Sequence, residues 1–476
     1  MLENICVRTM IAQFLEDNQN RTAFRLYDGK NIAEISYKTL AEKILEAAGF
    51  FKRNGLTGRH IAFLGENCYE WIVAYFAILA SGNVVVPLNS TSAYETILEQ
   101  CEFADVSVIC GDHQIVSPFA ADYSCIAYNT MFGEEPMALE EIACPGRDAT
   151  VMLLFTSGTT GESKAVEITY ANMESSLKSA DGVFAEPEIN RIMMALPMFH
   201  IAGIRGALAM LYRSKTLCVG RGVKYLFRDM PALLPDYISL VPLMVHSLIK
   251  IIKRTPRADL EKNYIGSNLK RICVGGATVD PDSCRYLMEE GFSVDSGYAL
   301  SETTGVGTWG KWDDLHFNTI GKLSKELQYR VVDGELQFKG AAVMKGYYKD
   351  PEETLKAMED GWLRTGDLGF CDEDGFFYLT GRKKSVIVMP NGEKVNPEEV
   401  ERYFNNCDEI SECLIRLDAN SKTLCMEVFA QNREAVRKYV DVYNEKVPLA
   451  YSIRRIIYHD SPLAKTTSGK LIRKEH

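Results

Sequence analysis

Residues 151–173 read VMLLFTSGTTGESKAVEITYANM, and both fold and chemistry turn on them. The five apolar residues at the start are a run of the length expected for a buried strand. The chain then breaks into Thr156, Ser157, Gly158, Thr159, Thr160 and Gly161, with a single cation, Lys164, three positions on. Glycines let the backbone turn tightly with its N–H groups inward, hydroxyls add short donors and the lysine brings a mobile charge, a combination suited to polyphosphate. Residues 165–168 read as a second strand, and Thr169 can cap a helix that begins near Ala171. A plain surface turn needs only two or three such residues, whereas six stand here in a row. The Walker pattern fails, because Lys164 is not adjacent to Gly161 and Ala165 stands where a Ser or Thr would hold the metal.

The 476 residues exceed what one core usually sustains, so more than one domain is expected. A hydrophobic share of 46% with 25% charged residues is that of an ordinary globular protein. No apolar run reaches about 18 residues, so no helical membrane span is expected. The early acids argue against a secretory leader, and a cytoplasmic location is expected. Thirteen cysteines without a C-x-x-C pair read as reduced core thiols. The net charge of -11 argues against nucleic-acid binding, so an anionic ligand must meet a local positive site.

Residues 1–150 alternate helical and strand patterns: helices over 37–53 and 69–80, strands over 60–64 and 84–87, with Gly55 ending the first helix. This is an α/β layer on a largely parallel sheet. Further on, ALPMFHIAG (195–203) sets His200 at a strand-to-helix junction, where a histidine satisfied by backbone competes with a functional one. Residues 240–252 read as an apolar core helix. RICVGGA (271–277) is a buried strand running into a Gly-Gly turn at Gly275 and Gly276, either a tight turn or a close backbone approach to a planar ligand. VDSGYALSETT (294–304) carries Tyr298 and the pair Ser301–Glu302, which could also cap a helix. From 311 to 380, short strands and glycine turns predict a small barrel-like or antiparallel part. There GWLRTGDLG holds Asp367 in a tight turn. YLTGRKK (378–384) marks a boundary, and helices over 397–404 and 433–444 among strands give a small α+β domain. The tail carries TSGKLIR over 467–473.

Taken in order, these motifs resemble those of the adenylate-forming ligases, the superfamily of acyl-CoA synthetases, luciferases and peptide-synthetase adenylation domains. The loop is similar to TSGTTGxPKGV, with Ser163 and Ala165 as departures, and 294–304 is similar to YGxTE, with Ala299 and Ser301 as departures. Residues 67–89 and 334–354 also resemble the family's passages. The resemblance implies a large N-terminal domain (1–381) of α/β layers, a hinge (382–384) and a mobile α+β domain (385–476) carrying the catalytic lysine. It implies that Thr156 to Gly161 and Lys164 hold phosphates, and that Gly276 and Ala277 border adenine and the acyl carboxylate. Tyr298 would stack on adenine, Ser301 would bond a phosphate and Glu302 would reach Mg²⁺. Asp367 would take both ribose hydroxyls, Arg382 the ribose region, and His200 the mouth of the acyl pocket. Lys384 would be the hinge residue, Gly392 would line the thiol tunnel, and Lys470 would be catalytic.

The implied reaction is ATP-dependent activation of a carboxylic acid to acyl-AMP, then transfer to the thiol of CoA or of a carrier protein's phosphopantetheine. Relatives that activate amino acids carry an Asp near His200, so its absence and an apolar pocket favour a fatty acid, with an aryl acid as the alternative. A non-catalytic nucleotide or acyl-adenylate binding protein is the reading from a different class, resting on the four departures.

Overall fold

The computed structural model describes residues 5–16, 18–133, 135–156, 164–180, 186–277, 280–405, 407, 409–464, 471 and 473. The predicted local elements recur with their physical causes visible. Tyr37–Arg53 is a helix whose N-cap, Ser36, accepts from the Thr39 N–H at 3.0 Å, and whose buried face includes Leu40, Ile44 and Phe51. Tyr170–Lys178 is capped by Thr169 in a box with Asn172, a device that contributes about 1 kcal/mol.

Two sheets carry the large part of the chain. In the smaller, His60–Leu64, Val84–Pro87, Val106–Gly111, Ser124–Ala127 and Thr150–Thr156 run parallel. Lys164–Thr169 returns antiparallel to the last of these and sets Lys164 opposite Thr156. The larger sheet has a parallel half, from Thr22–Tyr27 through Thr216–Val219, Arg191–Met193, Tyr237–Leu240 and Arg271–Gly275 to Ser293–Ala299. It continues antiparallel through Gly307–Lys311, Gly321–Leu323, Phe376–Arg382 and Trp362–Cys371 to Glu335–Lys339 and Gln328–Val332. The segment expected to be barrel-like or antiparallel is therefore the antiparallel extension of one long sheet.

Strand side chains alternate between faces, and here both faces are buried. Ile61 and Phe63 enter one core while Ala62 and Leu64 enter another; Ile192 and Met193 divide in the same way. The shared core draws on both sheets and on the helices Val7–Glu16, Tyr37–Arg53, Tyr69–Ala80, Tyr170–Lys178 and Ile201–Tyr212, so a helical layer lies between two sheets that are covered outside as well. Burial on both faces accounts for the near-continuous apolar runs of these strands.

Residues 387–459 add a three-stranded sheet, a short two-stranded ribbon and the helices Pro397–Asn405 and Arg433–Asn444 around a separate core. Two expectations are corrected. The helix drawn over 240–252 is Pro242–Arg254, because Leu240 ends a strand and Pro242 occupies the first turn, where its missing N–H has no intrahelical partner to lose. Asp367 is not a turn residue: it lies inside the ten-residue strand Trp362–Cys371, opposite Arg382, beside a bulge that Gly366 (φ +72°) accommodates.

Candidate active site

The antiparallel strands Thr150–Thr156 and Lys164–Thr169 set Thr156 opposite Lys164 at one end of the smaller sheet. Ser157, Gly158, Thr159, Thr160 and Gly161 lie outside the described residues. Gly346–Tyr347 pairs antiparallel with the Lys164–Thr169 strand, which brings Tyr347 beside Lys164 from nearly two hundred residues away. The Lys164 ammonium lies 5.1 Å over the Tyr347 ring and is paired with Glu353, on the helix Pro351–Ala357. Glu353 also meets Lys356 at 2.7 Å. The hydrogen bond from Lys164 holds the Glu353 carboxyl down to about 2. The Tyr347 hydroxyl donates to Glu302 Oε1 at 2.9 Å; burial, reinforced by Glu302, pushes that phenol up and keeps it a neutral donor.

Glu302 and Ser301 occupy a 3₁₀ turn, Ser301–Thr303, that ends in the left-handed Thr304 (φ +51°). The capping role considered for the Ser301–Glu302 pair falls to Thr303, whose hydroxyl accepts from the Leu300 N–H at 3.2 Å. The turn is pinned from outside: Thr304 Oγ1 donates to Ala342 O at 2.8 Å, and Met344 N donates to Glu302 O at 2.8 Å. Asn172 in turn holds Ala341 O and Val343 O, so the helix after the loop and the Glu302 turn share one support.

Elsewhere along the cleft wall, Gly276 (φ +79°) follows the strand Arg271–Gly275, and a Cβ on Gly275 would stand 2.9 Å from Gly297 O, so this crossing needs glycine. Gly276 and Ala277 are exposed. The Tyr298 hydroxyl donates to Asp367 Oδ2 at 2.6 Å, and Arg382 Nε meets Asp367 Oδ1 at 3.0 Å. Asp367 is only 4% exposed, yet a carboxylate retains lone pairs beyond these two contacts. Burial and Asp367 push the Tyr298 phenol up, and it remains the donor in this contact.

His200 is the N-cap residue of the helix Ile201–Tyr212, its ring tilted against Phe199 at 4.5 Å. Asn67 shapes the preceding turn, accepting from Met198 N and donating to Leu196 O. A Cβ on Gly203 would stand 2.2 Å from Pro197 O, which fixes glycine there. The pocket read as apolar also contains Arg205, which sequence reading passed over. Its signal is that it carries the one formal charge between Arg191 and Arg213.

A single cleft of about 3060 Å³ is lined by Thr156, Lys164, His200, Arg205, Gly276, Ala277, Tyr298, Ser301, Glu302, Asp367, Arg382 and Lys384. Glu401 and Arg473 of the smaller unit also reach it. Arg473 is paired with Glu401 at 2.5 Å, while Glu401 Oε1 accepts from Ile415 N at 2.6 Å. Gly392 (φ +84°) turns the ribbon Ile387–Val388/Lys394–Val395 and does not belong to the lining. Lys384 is exposed, and Lys470 lies outside the described residues.

An AMP-binding enzyme family model matches residues 11–348. The chain is 25% identical to a long-chain-fatty-acid–CoA ligase of Mycobacterium bovis, over 87% of this chain and 80% of that protein. It is 24% identical to a 2-succinylbenzoate–CoA ligase of Bacillus cereus, over 96% and 95%. Its fold matches the structure of O-succinylbenzoate coenzyme A synthetase from Bacillus subtilis in complex with AMP, with a TM-score of 0.85 at 23% identity, covering 98% of this chain and 97% of that one.

Proposed function

The chain belongs to the AMP-binding enzyme family, and from that premise we propose that it is an ATP-dependent acid–thiol ligase. A carboxylate attacks the α-phosphate of ATP to give acyl-AMP and pyrophosphate; a thiol then attacks the acyl carbon, releasing AMP and leaving a thioester. The observation that carries the reading is the convergence, in one cleft, of a cation and carboxylate suited to MgATP phosphates (Lys164, Glu302) with a buried acceptor suited to ribose (Asp367, held by Tyr298 and Arg382). Magnesium is commonly held by one or two carboxylates plus phosphate oxygens, and Glu302 is a half-buried carboxylate whose hydrogen bond comes from a neutral tyrosine, so the site fits. Bound there, the ion would neutralise charge on the departing pyrophosphate.

The difficulty in the first step is bringing one anion against another. Lys470 answers it, by standing between the carboxylate and the α-phosphate; removing one such preorganised donor typically costs about 10² to 10³ in rate. Thr156 to Gly161 and Lys164 hold the pyrophosphate end, Ser301 bonds a phosphate, Tyr298 stacks on adenine, and Gly276 and Ala277 border the adenine and the reacting carboxyl. His200 guards the acyl mouth. We assign residues 1–381 to the ATP- and acid-binding domain, 382–384 to a hinge centred on Lys384 and 385–476 to a domain that turns to admit the thiol past Gly392. CoA is the acceptor named for the relatives, and a carrier-protein phosphopantetheine offers the same thiol. A cytoplasmic location agrees with the absence, among the described residues, of a helix long and apolar enough to cross a membrane.

The test is to incubate the enzyme with MgATP, CoA or a loaded carrier protein, and straight-chain, branched and aromatic acids, and to identify products by mass. A thioester with stoichiometric AMP is expected; nucleotide binding without pyrophosphate release for any acid would leave a binding protein instead.

A further inference from the structure

Two arginines of the fold, the buried Arg271 and the exposed Arg221, are supplied with carboxylates. Arg271 has Asp295 and Glu186, and Arg221 has the fully buried Asp229. Arg205 is treated differently. Its Nη2 donates to Ser179 Oγ at 2.7 Å, its Nε is sealed from solvent without an acceptor, and no carboxylate among the described residues lies within ion-pair distance. Ionised groups withdrawn from water without a counter-charge are costly, so a native structure that keeps one usually has a use for it. Burial pushes the Arg205 guanidinium down to about 10, and it stays protonated at neutral pH.

The side chain is held in place. A Cβ on Gly305 would stand 2.7 Å from Arg205 Cδ, so Gly305 leaves the groove along which the arginine stem runs, and both residues line the cleft. Five residues of helix separate Arg205 from His200, about 7.5 Å of axial rise away from the end of the helix where the acyl mouth was assigned. Trp309 lines the same cleft, its ring steadied by the Arg271 guanidinium at 5.0 Å. A half-buried guanidinium in the cleft wall whose partner is a neutral hydroxyl calls for an acceptor rich in negative charge, which an alkyl chain or an unsubstituted ring cannot provide.

We propose that Arg205 receives a second carboxylate carried by the acid, so that the preferred substrate is a dicarboxylic acid rather than a plain fatty or aryl acid. The proposal rests on the acid–thiol ligase reading and narrows it. Ser179 holds the guanidinium in place.

The test uses acid-dependent ATP–pyrophosphate exchange on matched pairs from four to ten carbons, adipate against hexanoate among them, with the full-length enzyme and its Arg205→Met and Arg205→Lys variants. The wild type is expected to favour the best diacid over its matched monoacid by at least about 10-fold in kcat/KM. Arg205→Met should lower the diacid value about 10- to 100-fold, mostly through KM, while leaving the monoacid value and the KM for ATP within a few-fold; Arg205→Lys should recover part of the loss. Those factors follow from the usual strength of hydrogen bonds to charged groups. Equal use of both acids by the wild type, or an equal loss on both in Arg205→Met, would overturn the proposal and leave Arg205 as a packing tie to Ser179. If no acid supports exchange, the ligase reading fails first. Calorimetric titration with adipate then still decides Arg205: tighter binding by the wild type than by Arg205→Met upholds it, and equal or no binding rejects it.

Discussion

Replacing Glu353 by Gln removes the carboxylate that holds Lys164 while preserving side-chain shape. A polyphosphate that recruits Lys164 must first win the ammonium from Glu353, so the native pair competes with ATP. The strength of that competition follows from exposure. The Lys164 and Glu353 side chains are 23% and 30% exposed, and Glu353 keeps Lys356 as a second partner. Such a pair is worth about 0.2–1 kcal/mol, far below the several kcal/mol of a fully buried one. At about 1.36 kcal/mol per tenfold, Glu353→Gln should tighten ATP binding by about 1.4- to 5-fold. Because the Glu353 carboxyl is held at about 2, it is ionised throughout the working range, and the gain should not vary between pH 6 and 9. The gain should shrink as salt screens the pair. Calorimetric ATP binding and the KM for ATP in pyrophosphate exchange, at low and high salt, measure it. A weaker affinity or a tenfold lower kcat in Glu353→Gln would refute the competition and make Glu353 a residue that aims Lys164 productively.

Asp367→Asn keeps the shape of the residue proposed to accept the ribose hydroxyls but loses its charge, its ion pair with Arg382 and one lone-pair set; with hydrogen bonds to charged groups worth about 1.5–3 kcal/mol each, the KM for ATP should rise by about 10- to 100-fold with little change in the KM for the acid. Burial pushes the Glu401 carboxyl up, against the pull of Arg473, to about 7. The folded state therefore keeps a proton that the unfolded chain has released above about 4.3, and the stability this group contributes is full below that pH and is lost as pH rises through 7. Glu401→Gln should flatten that part of the decline, read as the difference in Tm between pH 5 and pH 8; an unchanged slope would contradict it.

Local elements were legible because their signals are local. The alternating apolar residues around the glycine loop, the helical spacing in 37–53 and 69–80, and the helices beyond 397 depend on neighbours within one or two turns. Asp367 reads as a turn residue because GWLRTGDLG carries the composition of a turn, whereas strands paired on both sides make it a buried strand residue. Leu240 reads as part of the helix because a short apolar run does not reveal where strand ends and helix begins; Pro242 is the sign that marks the boundary. Of the site, Lys164, Tyr298, Glu302, Asp367 and Arg382, which the motifs single out, are brought to one cleft. The Lys164–Glu353 pair could not be read from motifs, since it exists only because Gly346–Tyr347 joins the smaller sheet beside Lys164. Nor could the isolation of Arg205, because a missing counter-ion is a property of the packed molecule rather than of any stretch of sequence.

The central claim is that the chain activates a carboxylic acid by adenylation through Lys470, and acid-dependent exchange of labelled pyrophosphate into ATP, compared between the wild type and Lys470→Ala, tests it most directly. The account predicts exchange in the wild type only when an acid is present, and a loss of at least about 10²-fold in Lys470→Ala, with thioester formation from supplied acyl-AMP retained. Exchange in Lys470→Ala near the wild-type rate would contradict it.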